Sequence, residues 1–160
     1  MTDGCRYWED FSVGDVFEFT GPPVTKDEII EFASQYDPQP HHLDEEAAKE
    51  TILGELCASG WHSCAMLMRL ICDTYLNEAE HIGSPGVEEV RWQRPVVPGD
   101  CFHVKRTVTK VRAIPGQGDR GLVQVIFAVT NQNEKPLLTM DCLALYRRKE
   151  PLIETNQGAL

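Results

Sequence analysis

The segment that most constrains the fold of this chain is an apolar run between Ala58 and about Leu76. Its apolar side chains recur at helical spacing and leave almost no polar face, so the run predicts a long helix that the rest of the protein must enclose. The chain has 160 residues, one domain's length and enough to bury such a helix. The longest uncharged stretch at this point of the chain, 56–68, is shorter than the ~20 apolar residues that span a bilayer, so no membrane span is predicted.

The second half of the chain is rich in β-branched and aromatic residues, a composition that favours strands. Four long strands are predicted there, separated by short turn-forming segments: 87–97, 101–113, 121–132 and 135–148. Short turns between long strands favour an antiparallel meander. One buried helix with a long antiparallel sheet predicts an α+β domain in which the sheet wraps around the helix.

The first half of the chain contains helix start and stop signals. A short strand over 16–19 is predicted to end at Gly21-Pro22-Pro23. Thr25 and Glu28 then fit a capping box, in which each side chain binds the other's backbone N–H. Pro38 ends this helix because the residue before a proline is driven out of the helical conformation. Asp44 is suited to cap a second, shorter helix.

No repeat or linker divides the chain, so a single domain over 1–160 is expected, with a core of about 8–148 and a C-terminal tail of 149–160. The net charge is −10, which argues against nucleic-acid binding and against anionic membrane surfaces. The six cysteines show no CxxC spacing, and Met1–Cys5 shows no signal-peptide pattern. We therefore expect a cytoplasmic protein. The histidines form no metal-binding pattern, so no metal site is predicted.

One short segment combines an acid, an imidazole and two prolines. Asp37 and His42 are five residues apart in Tyr-Asp-Pro-Gln-Pro-His-His-Leu-Asp, residues 36–44. The prolines predict a stiff loop, which can direct a carboxylate and an imidazole at one water and deprotonate it. The spacing alone leaves a structural alternative open, in which Asp37 caps a turn and the histidines are half-exposed loop residues.

A second candidate site lies where the buried helix begins. Ser59 can cap this helix and Gly60 can occupy its first turn, where free N–H groups and the helix dipole favour negative charge. Such a start can stabilise an oxyanion that develops in a reaction. The alternative is close packing against the glycine. Ser63 lies outside any GxSxG pattern, and His62 is interpreted as a core or interface residue.

Three segments together resemble the MaoC-like dehydratases and (R)-specific enoyl-CoA hydratases. Residues 36–44 resemble the hydratase-2 motif Asp-x-Asn-Pro-x-His-x-Asp of that family. Residues 58–62 resemble the start of its central helix, and residues 91–100 resemble its first long strand and the turn after it. The resemblance covers about residues 8–148 and implies a hotdog fold, in agreement with the predicted order of elements.

The resemblance also implies roles for individual residues. Asp37 and His42 match the family's catalytic pair, and the Gly60 N–H matches its donor to the thioester carbonyl. Gln39 stands where the family has Asn, a longer side chain with the same amide chemistry, and His41 replaces a common apolar residue. The expected substrate-binding residues are Gly60, Gln39, Ser59 and Arg94, and Arg91, Lys105 and Arg106 are further candidates for phosphate contacts.

The implied activity is reversible addition of water to a trans-2-enoyl-CoA, which gives an (R)-3-hydroxyacyl-CoA. Coenzyme A or an acyl carrier enters as part of the substrate, so no prosthetic cofactor is expected. Because a lone hotdog sheet leaves open edges, a homodimer or a larger homo-oligomer is expected. Two other classes stay open: a hotdog acyl-CoA thioesterase and a non-catalytic subunit that binds acyl thioesters.

Overall fold

A long antiparallel sheet and a central helix dominate residues 5–151, the part of the chain that the computed structural model describes. In chain order the helices are α1 (Lys26–Tyr36), α2 (Pro40–Leu43), α3 (Glu45–Lys49) and α4 (Gly60–Thr74). The strands are β1 (Val16–Pro23), β2 (His81–Trp92), β3 (Cys101–Ile114), β4 (Gln117–Thr130) and β5 (Pro136–Arg147). Short 3-10 turns lie at Trp8–Asp10 and Leu76–Glu78.

The five strands form one sheet in the order β1-β3-β4-β5-β2, and every neighbouring pair is antiparallel. Helix α4 places Leu67 and Ile71 in the core, where they join buried side chains of the sheet such as Val104, Phe127 and Leu138. The predicted α+β hotdog arrangement, a sheet around a central helix, is confirmed. None of the helices within residues 5–151 is long and apolar enough to cross a membrane.

The predicted meander is right for β3, β4 and β5 and wrong for β2, which pairs with β5 on the far edge of the sheet. This strand begins at His81 rather than at 87, and it ends at Trp92 rather than at 97. The residues Gly83, Pro85 and Gly86 resemble a strand break, but an edge strand tolerates them, and the register shifts around them. Segment 93–100 then leads the chain back to β3.

Two other strands are longer than predicted. Strand β1 includes Gly21-Pro22-Pro23, which were expected to end it, because it is also an edge strand and shifts register between Thr20 and Pro23. Strand β4 begins at Gln117 because the turn before it is confined to Pro115 and Gly116. Gly116 has a φ of 74°, a left-handed conformation that glycine adopts without strain.

The expectation that the rest of the chain encloses α4 completely is wrong for a single copy. Leu67 and Ile71 are buried, but Trp61 is 65% exposed and Met68 is 44% exposed. The sheet covers only one side of the helix, so an apolar stripe is left on the other. The predicted tail of 149–160 lies mostly outside the described residues, and the domain bounds stay a prediction.

Candidate active site

Helix α1 holds Asp37 at its C-terminal end. The predicted capping box is present: the Glu28 N–H donates to Thr25 Oγ1 over 3.2 Å, and the Thr25 N–H donates to Glu28 Oε2 over 2.8 Å. The helix ends at Tyr36 as Pro38 requires, and the Asp37 N–H still donates to the Ala33 carbonyl over 2.9 Å. The backbone of Asp37 is therefore fixed by the helix, and its side chain is 20% exposed.

His42 lies on a helix rather than on the stiff loop that the sequence predicted. Pro40 is the first residue of α2, a position where proline needs no N–H partner and where its fixed φ already suits a helix. Only the segment between α1 and α2 is extended, with Gln39 at φ −84° and ψ 146°. Asp37 and His42 thus approach each other from the ends of two helices, and His42 is 6% exposed.

A backbone carbonyl orients the His42 ring. The distance from His42 Nδ1 to the Cys57 carbonyl oxygen is 2.6 Å. A carbonyl oxygen can only accept, so Nδ1 carries the hydrogen and the neutral ring has its lone pair on Nε2. The Cys57 N–H in turn donates to the His41 carbonyl over 3.2 Å, which joins α2 to the segment that leads into α4.

Two side chains that the sequence marked lie beside the Asp37 carboxylate. Gln39 Nε2 donates to Asp37 Oδ1 over 2.7 Å. Hydrogen bonds from the Ser59 hydroxyl and then from the Gln39 amide lower the pKa of Asp37, because they favour its charged form. Asp37 is therefore ionised at neutral pH. Gln39, despite its extra methylene, still reaches the carboxylate.

Asp37 and His42 present two hydrogen-bond acceptors to one point. Asp37 Oδ2 lies 3.5 Å from His42 Nε2, and in the neutral tautomer neither atom has a hydrogen to give. Two such acceptors can each take one hydrogen of a single water. The water oxygen would then keep its lone pairs for attack, which is the arrangement that general-base catalysis requires.

Helix α4 begins as the sequence predicted, with Ser59 as its cap. The Trp61 N–H donates to Ser59 Oγ over 3.2 Å, and the Ser63 N–H donates to the Ser59 carbonyl over 3.0 Å. The Gly60 N–H has no hydrogen-bond acceptor within residues 5–151. It therefore stands at the positive end of a 15-residue helix, ready to receive an anionic or polarised oxygen.

One cavity of about 390 Å³ brings these groups together. Every site residue predicted from the sequence lines it: Asp37, Gln39, His42, Ser59, Gly60 and Arg94. Apolar walls complete it, formed by Leu53, Trp61, Trp92, Pro95 and Val96. A cavity that combines these polar groups with apolar walls suits a ligand with a polar reacting group and an aliphatic chain. The individual roles of these residues stay predictions.

The sequence matches the family described as "MaoC like domain" over residues 10–129. The chain belongs to the MaoC-like domain family. It is similar to a structure described as a MaoC-like dehydratase from Rhodospirillum rubrum, with 37% identity, a TM-score of 0.83, and coverage of 91% of this chain and 99% of that one. An Archaeoglobus structure described as a monoamine oxidase regulatory protein has 28% identity and a TM-score of 0.83, with coverage of 94% and 99%. The uncharacterized protein YdeM of Bacillus subtilis is 27% identical over 141 residues, which are 88% of this chain and 98% of YdeM.

The cationic side chains of this MaoC-like protein are distributed differently from what was predicted. Only Arg94, of the four candidates for phosphate contacts, lines the cavity. Arg91 is bound to Glu89 over 2.7 Å, and Lys105 points away from the core on β3. The prediction is wrong for Arg106, which is 3% exposed and packs 4.9 Å from the centre of the Tyr75 ring. Because β3 alternates inward and outward, Arg106 faces the core.

The other histidines near the site of the MaoC-like protein are structural. His62 is 6% exposed and stacks on Phe32 with 4.6 Å between ring centres, which agrees with its interpretation as a core residue. Burial lowers the pKa of His62. His41 contacts the His42 ring edge-on at 4.1 Å, and burial, followed by the charge of His42, lowers the pKa of His41.

Two residues of the MaoC-like site were not predicted as site residues. Cys57 acts through its backbone carbonyl, and a carbonyl is the same in every residue type. Trp92 was assigned to the middle of a strand, but it ends β2 beside the first turn of α4 and lines the cavity. The sequence predicted that this strand continues to 97, so nothing indicated that Trp92 would be its last residue and would lie beside α4.

Proposed function

We propose that this protein is a hydro-lyase that adds water reversibly to a trans-2-enoyl-CoA and forms an (R)-3-hydroxyacyl-CoA. The observation that carries this proposal is the pair of acceptors Asp37 Oδ2 and His42 Nε2, 3.5 Å apart, in one cavity with the Gly60 N–H. Similarity to the Rhodospirillum protein described as a MaoC-like dehydratase supports it. The thioester is a co-substrate, and the reaction requires no prosthetic group.

The first part of the mechanism is activation of the thioester. Its carbonyl oxygen accepts a hydrogen bond from the Gly60 N–H at the start of α4. Electron density moves from the C2–C3 double bond toward this oxygen, so C3 becomes electrophilic. The positive end of the helix dipole stabilises the negative charge that then develops on the oxygen, and this stabilisation is strongest in the transition state.

The second part is attack by water. One water donates one hydrogen to Asp37 Oδ2 and the other to His42 Nε2, which directs its oxygen at C3. As the new C–O bond forms, Asp37 takes the proton, and the electron pair of the double bond becomes an enolate. Asp37 can take this role because it is ionised at neutral pH, where hydrogen bonds lower its pKa, and its carboxylate has a lone pair to accept the proton.

The third part is protonation of the enolate at C2. The proton taken from the water is thereby returned, and one whole water has been added. Asp37 and His42 both lie on one side of the cavity, so the proton comes from the side that the water attacked, and addition is syn. The reverse sequence is dehydration. The (R) configuration at C3 rests on the family resemblance, and Arg94 at the cavity is the proposed contact for a phosphate of coenzyme A.

The proposal is tested by incubating the purified protein with a short trans-2-enoyl-CoA. The enoyl absorbance should fall, no free thiol should appear, and the product should react only with a dehydrogenase specific for the (R) enantiomer. Thiol release would place the protein among the thioesterases, and an (S) product would contradict the stereochemical assignment. Absence of any reaction across chain lengths would favour a non-catalytic binding subunit.

Assembly into a homodimer is part of the proposal. Two apolar features are open in one copy: the α4 stripe with Trp61 and Met68, and the edge strand β2, where Val87 is 50% exposed. Pairing of two copies would cover both and would satisfy the open strand edge. Light scattering should give at least twice the 18.0 kDa chain mass, and a monomer at micromolar concentration would contradict the dimer.

A further inference from the structure

Trp92, the last residue of β2, closes against the first turn of α4. Its Nε1–H donates to the Gly60 carbonyl over 2.9 Å. The ring lies so close to the backbone that a Cβ built on Gly60 would be 2.7 Å from Trp92 Cε2 and 2.9 Å from Nε1. Glycine at position 60 is therefore what allows the indole to reach the helix backbone.

The peptide unit between Gly60 and Trp61 is held at both ends. Its N–H, from Trp61, donates to Ser59 Oγ over 3.2 Å, and its carbonyl, from Gly60, accepts from Trp92 over 2.9 Å. These two bonds fix the plane of that peptide unit. The Gly60 N–H lies in the preceding unit, which shares the Gly60 Cα and whose Ser59 carbonyl accepts from the Ser63 N–H over 3.0 Å, so fixing both neighbouring planes fixes the direction of the Gly60 N–H. The constraint matters here because glycine is the residue with the most backbone freedom, and the first turn of a helix is the part that frays.

Trp92 lines the cavity, but its one polar atom is bonded to the protein. It lines the cavity together with Trp61, and the two indoles meet edge to face with 5.6 Å between ring centres. The bonded atom of Trp92 is turned to the Gly60 carbonyl, so it acts on the helix start and not on a ligand. Any effect on the reaction must pass through Gly60.

We propose that Trp92 is a positioning residue, whose indole N–H locks the first turn of α4 and keeps the Gly60 N–H aimed at the thioester carbonyl. This inference rests on the proposed function, in which Gly60 is the carbonyl donor. The physical reason is that preorganised donors stabilise a transition state without the cost of reorienting during the reaction. A strand end thus sets the geometry of a helix start.

The decisive variant is Trp92→Phe, which keeps an aromatic ring beside Gly60 and removes the indole N–H. We expect kcat to fall roughly ten- to a hundredfold, less than the ~10²–10³ that loss of an oxyanion donor costs. KM should change little, because an interaction that matters mainly in the transition state lowers kcat and kcat/KM together.

Trp8→Phe is the matched control. Trp8 also donates its Nε1–H to a backbone carbonyl, that of Leu122 over 3.3 Å, but it does not line the cavity. The same chemical change there should leave kcat and KM near the wild-type values. Equal losses in the two variants would mean that removing an indole hydrogen bond weakens the fold in general, and the positioning role would be overturned.

A second measurement is independent of turnover. Butyryl-CoA has no C2–C3 double bond and cannot be hydrated, so the carbonyl stretch of the bound molecule reports polarisation alone. Isotope-edited infrared difference spectra should show a lowered frequency in the wild-type protein and a smaller shift in Trp92→Phe at similar affinity. If Trp92→Phe gave the same carbonyl shift and the same kcat as the wild type, the positioning role would be overturned. Hydration of an enoyl-CoA by the wild type would still support the proposed function in that case. A wild type that bound butyryl-CoA without hydrating any enoyl-CoA would instead contradict the function.

Discussion

Asp37 Oδ2 and His42 Nε2 lie 3.5 Å apart, and each is an acceptor that the other cannot satisfy. The arrangement is enforced from outside the pair: the Cys57 carbonyl binds the hydrogen on His42 Nδ1, and Gln39 occupies the second oxygen of Asp37. Asp37 Oδ1 and His42 Nδ1, of the four carboxylate oxygens and ring nitrogens, thus each have a partner within the protein. The two that face each other are the ones available to a water.

Replacing Asp37 by Asn should abolish most activity with little effect on folding. The amide nearly keeps the shape of the carboxylate but cannot take a proton, so turnover should fall by ~10² to 10⁴. The thermal midpoint should stay within a few degrees, because the amide oxygen can still accept the hydrogen bond from Gln39. Steady-state kinetics and a melting curve check both points, with Asp119→Asn, an exposed carboxylate outside the cavity, as the control. Normal turnover by Asp37→Asn would exclude this residue as the base.

Replacing His42 by Ala should lower both activity and stability. The imidazole is buried, and its removal leaves the Cys57 carbonyl without its donor, which costs ~1–3 kcal/mol for a buried polar group. Urea denaturation should therefore show a lower midpoint. His42→Asn supplies an amide donor that can bind the Cys57 carbonyl if the shorter side chain reaches it. Recovery of stability without recovery of activity would show that the structural role of His42 is separate from its role in binding water.

Replacing Gln39 by Leu should raise the pKa of Asp37. In the wild type the Ser59 and Gln39 hydrogen bonds lower it from 3.8, and the leucine removes the second of them. The carboxyl carbon resonance of Asp37 should therefore titrate at higher pH in the variant. The same sign holds for stability: the contribution of ionised Asp37 is present above about 3.8 and is lost as pH falls through its lower folded value. Gln39→Leu should lose less stability over that acid range, and an unchanged or lower carboxyl titration midpoint would contradict the assignment.

Gly60→Ala should destabilise the protein through Trp92. The added Cβ would lie 2.7 Å from the indole ring, so the ring must move away from α4. Combining Gly60→Ala with Trp92→Ala removes the conflict, and the double variant should lose less stability than the sum of the two single changes. Thermal melts of the four proteins form the cycle. Additive losses would mean that the ring does not press on the helix start.

The parts of the structure that the sequence predicted are those fixed by local chemistry. The capping box of Thr25 and Glu28, the helix stop at Pro38 and the Ser59 cap each depend on residues a few positions apart. The three segments that resemble the family contain all six predicted site residues, and all six line the cavity. Tertiary packing brings these residues together in one cavity, and local sequence patterns do not predict it.

What could not be predicted depended on long-range pairing or on backbone atoms. Nothing near β2 indicates that its partner is β5, because pairing is decided by how the chain returns across the sheet. The short helix α2 was not predicted, because Pro40 was expected to prevent a helix and instead begins one. The Cys57 carbonyl and the contact between Trp92 and Gly60 join residues far apart in sequence.

The central claim is that the protein adds water across the C2–C3 bond of an enoyl thioester. The most direct measurement is the mass spectrum of the product formed from trans-2-butenoyl-CoA in isotopically labelled water. The account predicts one labelled oxygen in the C3 hydroxyl of an intact 3-hydroxyacyl-CoA, and a rate of product formation lower by ~10² to 10⁴ with Asp37→Asn. Label in the carboxylate of a released acid, with the double bond retained, would contradict it.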